Sequence, residues 1–101
     1  MDINELRNQT EKYKEKTFQR SKDYCICVIN SAIHEAVEKG KYSTRISIST
    51  LKYEMPVVMN NFYYNVTRDV INAIDKQYTE LGFNVEFSST FGMTIDWSEQ
   101  N

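Results

Sequence analysis

Apolar residues recur at steps of three and four through Cys25, Val28, Ile29, Ala32, Ile33, Ala36 and Val37, the spacing that lays one stripe along a helix. No Pro or Gly interrupts residues 3–39, and Glu, Lys, Arg, Gln and Ala dominate there. The pattern predicts one long helix, broken at most once and ended by Gly40. Unbroken, it would reach roughly 55 Å at 1.5 Å per residue, longer than a compact domain of this size needs. Its two halves must then differ in role. Residues from 25 onward carry a core stripe. Before Tyr24, Ile3, Leu6, Tyr13 and Phe18 stand among charges, and the heptad-like seam of Ile3, Leu6, Thr10, Tyr13, Thr17, Arg20 and Tyr24 is too polar to specify a coiled coil. Residues 1–24 are expected to form a polar helical arm continuous with the core helix, either solvated or completed by another chain.

At Tyr42 the period falls to two. Thr44, Ile46, Ile48 and Thr50 alternate with Arg45, Ser47 and Ser49, which predicts a strand over 42–49 covered on one side. Residues 50–55 read as a connection, and Pro56 suits the first turn of a second helix, where its missing N–H costs nothing. That helix should run to about Leu81 on a stripe of Val58, Phe62, Val66, Val70, Ile74, Tyr78 and Leu81, supported by Ile71. Leu81-Gly82-Phe83 reads as a helix stop with Gly82 left-handed and Phe83 folded back on the last turn. Phe83, Val85 and Phe87 then alternate with polar residues, Ser88-Ser89-Thr90 offers a turn, and Phe91, Met93, Ile95 and Trp97 alternate in a partner strand. The expected fold is α+β: a long N-terminal helix, a strand, a second helix and a C-terminal β-hairpin. The three-stranded sheet has its helices packed on one face, and the first strand is free to join either edge. Residues 25–97 form the core domain and 98–101 a frayed tail.

A length of 101 residues fits one domain, and 41% hydrophobic with 26% charged residues is ordinary for a chain that folds. The formal charge of −2 argues against both a nucleic-acid binder driven by phosphate neutralisation and an acidic mimic of DNA. No run approaches the roughly 20 apolar residues of a membrane span, and Met1-Asp2-Ile3-Asn4-Glu5 lacks the apolar core of a signal peptide. Cys25 and Cys27 would point about 200° apart on a helix, too divergent to bridge. Reduced thiols imply a cytoplasmic location.

Catalytic chemistry finds no constellation. His34 is the single histidine and, beside Glu35 on a helix, reads as a surface or boundary residue. The two cysteines lack the spacing of metal knuckles and read as packing residues, while Gly40, Gly82 and Gly92 are isolated rather than gathered in a phosphate loop. No catalytic residue, metal or cofactor is expected. What stands out is Asn60-Asn61-Phe62-Tyr63-Tyr64-Asn65, where amphipathic rings sit beside carboxamides, a composition suited equally to holding a base, a sugar or a protein loop and to a Tyr-rich helix packing on a sheet edge. With the exposed rings and cations nearby in sequence or on the strand, the candidate contact residues are Tyr13, Arg20, Arg45, Asn61, Tyr63, Tyr64, Asn65 and Arg68.

Ala36-x-x-x-Gly40, Ile46-x-Ile48, Leu81-Gly82-Phe83-x-Val85 and Ile95-x-Trp97 occur in an order that resembles the small α-β-α-β-β proteins of tailed-phage genomes. The likeness spans residues 28–97 and leaves the arm uncovered. Some proteins of that kind are virion components. Others are early factors that disarm host immunity, including oligomers that sequester cyclic nucleotide signals. The resemblance implies a non-enzymatic, homo-oligomeric binding protein of the host cytoplasm, taking a small nucleotide-like ligand or blocking a host protein, with a virion structural or assembly role as the alternative. It assigns no role to any residue.

Overall fold

The computed structural model describes residues 2–51, 61–88 and 90–99, with the side chains of 61–67 excepted. The first helix, α1, runs unbroken over Ile3–Glu38. Asp2 caps its start, its carboxylate accepting the Asn4 N–H at 3.0 Å. At its end Lys41 N–H donates to the Ala36 carbonyl and Gly40 N–H to that of Val37, with Gly40 at φ 72°. Those two reversed bonds satisfy carbonyls that the helix leaves open and turn the chain toward the sheet.

Strand β1 covers Ser43–Ser47 and stops short of the predicted Ser49. Ser47 is responsible. Its hydroxyl accepts the Thr50 N–H (3.3 Å) and bonds the Thr50 hydroxyl (2.7 Å), a local cap that winds Ile48–Leu51 into the short helix α2. The alternation through Ile48 and Thr50 is thus overruled, and Leu51 plugs the core while its carbonyl accepts from the Cys25 thiol at 3.3 Å.

Helix α3 covers Asn61–Glu80. The expected connection beyond Leu51, Pro56 and Val58 lie outside the described residues. Asp69 and Asn72 sit beside Glu11–Phe18 of α1, and the Tyr78 hydroxyl donates to Asn30 Oδ1 at 2.6 Å, so α1 and α3 run in the same direction. The Leu81-Gly82-Phe83 stop forms as expected. Phe83 N–H donates to the Tyr78 carbonyl, Gly82 adopts φ 100°, and the Phe83 ring meets Tyr78 edge-on at 5.7 Å.

Strands β2 (Asn84–Ser88) and β3 (Gly92–Asp96) close the hairpin, and β3 lies in the middle of an antiparallel sheet ordered β1-β3-β2. The first strand therefore joins the β3 edge. In the register, Thr44, Ile95 and Val85 form one row across the sheet and Ile46, Met93 and Phe87 another. Ile46, Met93, Ile95 and Val85 of these rows pack with Cys25, Ile29, Val70, Ile71 and Ile74 from the helices in the hydrophobic core, while Phe87 is exposed. Ser43, Arg45 and Glu86 belong to the opposite, polar face. Four apolar expectations are corrected. Val37, at 53% exposure, lies in the last turn of α1, and Leu81, at 67%, just past the end of α3; Phe91, at 66%, belongs to the turn; and Cys27 is exposed rather than packed.

Candidate functional site

The C-terminal half of α1 passes beside the outer edge of β1, and the two leave a groove of about 470 Å³ between them. Its helical wall is Ala32, Glu35, Ala36 and Lys39, and its strand wall is Ser43, Thr44 and Arg45 of β1 with Thr94 of β3. Lys41, held at the mouth by the turn after Gly40, adds a third cation. Glu35 is the single carboxylate of the lining, and it is already paired with the Lys39 ammonium at 3.1 Å. The groove therefore keeps two cationic charges in excess. Arg45 is exposed, its guanidinium 5.9 Å from the Phe91 ring centre, a stacking contact that holds it near the sheet while leaving its donors toward water.

A second cleft runs between α1 and α3, lined by Glu11, Lys14, Glu15, Phe18, Asp69 and Asn72, where carboxylates outnumber the lysine. A shallow third depression carries His34, whose imidazole is exposed and 3.6 Å from Glu38. Among the described residues, no three of His, Cys, Asp and Glu come together in a way that could hold a metal ion. No described helix is long and apolar enough to cross a membrane.

Ionisation shifts lie away from the groove. Burial pushes the Cys25 thiol up to about 11, and burial first, then the neighbouring Cys27 charge, raises Tyr78. Asp96 is held below its usual value because its carboxylate accepts from the Ser98 hydroxyl (2.6 Å) and N–H (2.7 Å). None of these three groups lines one of the clefts described above.

Of the residues singled out by sequence, Arg45 lines the groove. Tyr13 is 70% exposed on α1 with the Lys16 ammonium 5.7 Å from its ring centre, and Arg20 is exposed about two turns further along. Arg68 is exposed on α3, 3.6 Å from the Asp69 carboxylate. Asn61, Tyr63, Tyr64 and Asn65 fall in the first two turns of α3, with side chains outside those described. Tyr13, Arg20 and Arg68 line neither the groove nor the α1–α3 cleft with Arg45. Lys39 and Lys41 are groove residues that patterning leaves unmarked, although two lysines flanking a helix-stop glycine directly before an Arg-bearing strand is a signal the chain does carry.

The fold and the groove together define an α+β protein with an open three-stranded sheet, helices on one face and a basic cleft along one sheet edge. Comparison with known protein families, with curated proteins and with solved structures returns no match.

Proposed function

We propose that this chain is a binding protein that takes up an anionic partner in the groove between α1 and β1 and does not transform it. The observation that supports the reading is the unbalanced charge of that lining: Lys39, Lys41 and Arg45 against a Glu35 already engaged by Lys39. Cations beside a concave, water-accessible surface raise the local concentration of anions and select among them by shape. Of the occupants implied by the phage-like motif order, a nucleotide signal has this chemistry, and a host protein shares it where it presents an acidic segment. Equilibrium dialysis against a cyclic dinucleotide and against an acidic peptide tests it. The expected result is saturable retention of at least one of them, recovered chemically unchanged, and weakened about tenfold or more in Lys41→Glu/Arg45→Glu, since exchanging two cations for anions costs at least about 1.4 kcal/mol of attraction. Turnover of either probe, or retention indifferent to the double variant, removes the reading.

A further inference from the structure

The groove has a second property besides its charge, and it comes from the backbone. Among the described residues β1 is an outer strand, and its unpaired edge runs along the groove, whose lining continues to Thr94 of β3. Trp97 N–H donates to the Tyr42 carbonyl at 2.9 Å, in register with the Ser43↔Asp96 and Thr44↔Ile95 pairs. Hydrogen-bonded pairs alternate along an antiparallel ladder, so Tyr42, Thr44 and Ile46 direct their N–H and C=O groups to β3. Ser43, Arg45 and Ser47 direct theirs outward. Ser47 runs straight into α2, which leaves Ser43 and Arg45 presenting two donors and two acceptors along the groove. Such a row is a template for one more strand, which would lie about 4.7–4.9 Å from β1. On the far wall Ala32 and Ala36, one helical turn apart, keep the helix surface low where that strand's side chains would go.

We infer that an extended acidic segment of a partner protein adds to β1 as a fourth strand in this groove. The residue abreast of Thr44 points to the helix side, toward Ala32 and Ala36, and is small or β-branched. Its neighbours, abreast of Ser43 and Arg45, carry carboxylates to the opposite face, where Arg45 lies. The inference rests on the binding reading above and supplies its partner.

Charge chooses this occupant over a second copy of the chain. Pairing β1 with its own equivalent sets Lys39, Lys41 and Arg45 against the same three cations, and like charges across adjacent strands repel. Cations on a short edge strand also discourage unspecific edge-to-edge association. An acidic strand reverses that penalty, so the same side chains that reject a sister molecule admit the partner. Glu86 shares Arg45's row across Thr94, but two strand spacings, roughly 9–10 Å, separate them, about one screening length in physiological salt.

The test uses the full chain, isotopically labelled, and a fluorescent ten-residue probe of alternating Glu and Thr. Expected are saturable binding, a loss of about tenfold in Arg45→Glu, and slowed amide hydrogen exchange at Ser43 and Arg45 when the probe is bound. Ser43→Pro keeps every charge and removes one outward N–H at a position where an edge strand tolerates proline; it should weaken binding while circular dichroism stays unchanged. A probe N-methylated on its pairing edge gives the same readout without altering the protein, and should bind weakly. Binding that survives N-methylation and leaves the Ser43 and Arg45 amides unprotected is charge attraction alone and overturns the strand. Retention of a cyclic dinucleotide but not the probe overturns it too, with the binding reading intact. Protection of those amides in a dimer without probe assigns the edge to a second copy instead. If neither probe binds, both the strand and the binding reading fall.

Discussion

At the scale of single residues, the two cysteines show how two positions on one helix acquire different chemistry. Cys25 faces the core, fully buried, with its thiol on the Leu51 carbonyl; Cys27, two residues on, is exposed. Thiolate formation governs thiol reactivity, and burial opposes it at Cys25. A thiol reagent at neutral pH should therefore label one cysteine quickly, at Cys27 by peptide mapping, and reach Cys25 only after denaturant is added. Labelling of both at equal rates would contradict the buried placement. The same burial has a consequence for stability in alkali. A thiol that ionises near 9 when unfolded and near 11 when folded stabilises fully below pH 9 and loses that contribution as pH rises toward 11. The urea midpoint of the protein should fall over that interval, and fall less steeply in Cys25→Ala relative to its own midpoint at neutral pH.

At the scale of elements, glycines with positive φ set where helices end and where strands touch, and they are not equivalent. Gly40 stands at φ 72° with open space around its Cα, so Gly40→Ala costs the left-handed penalty alone, about 1–2 kcal/mol. At Gly92, φ 116° is joined by close approach: a Cβ there would run into the Ile46 carbonyl oxygen and lie 2.7 Å from the Ile48 nitrogen. Gly92→Ala must then separate β3 from β1 at its last pair, and is expected to cost about 3 kcal/mol or more. Thermal melts of the two variants side by side check the ranking. What could be read from sequence divides along the same line. The Gly82-Phe83 stop was legible because its requirements are local, a residue free of Cβ and an apolar residue after it. The tight passage of β1 at Gly92 was not, because it depends on which edge of the sheet the first strand joins. For the same reason Arg45 could be marked as a candidate contact while the groove it lines, with Lys39 and Lys41, could not.

At the scale of the whole molecule, the body is 59 Å long and 24 by 21 Å across, and α1 supplies the long axis. Core contact on α1 begins with Phe18 and Ser21, whereas residues 2–13 are exposed throughout. Deleting residues 2–10 should shift unfolding free energy by less than about 0.5 kcal/mol, since it removes no buried group. Phe18→Ala should cost about 1–2 kcal/mol for its half-buried ring. If the arm joins copies, the deletion lowers the mass seen by light scattering while leaving the melt in place. The sheet order carries one more consequence. β1 and β2 never touch; each is held by β3, the last of the three to be synthesised. At about 5–20 residues per second, several seconds separate the emergence of β1 from that of the strand it must pair with. During that interval both sides of β1 are open, and the nascent chain meets its surroundings as an unpaired, cation-bearing ribbon. Its protection from mispairing in that window falls to Lys41 and Arg45.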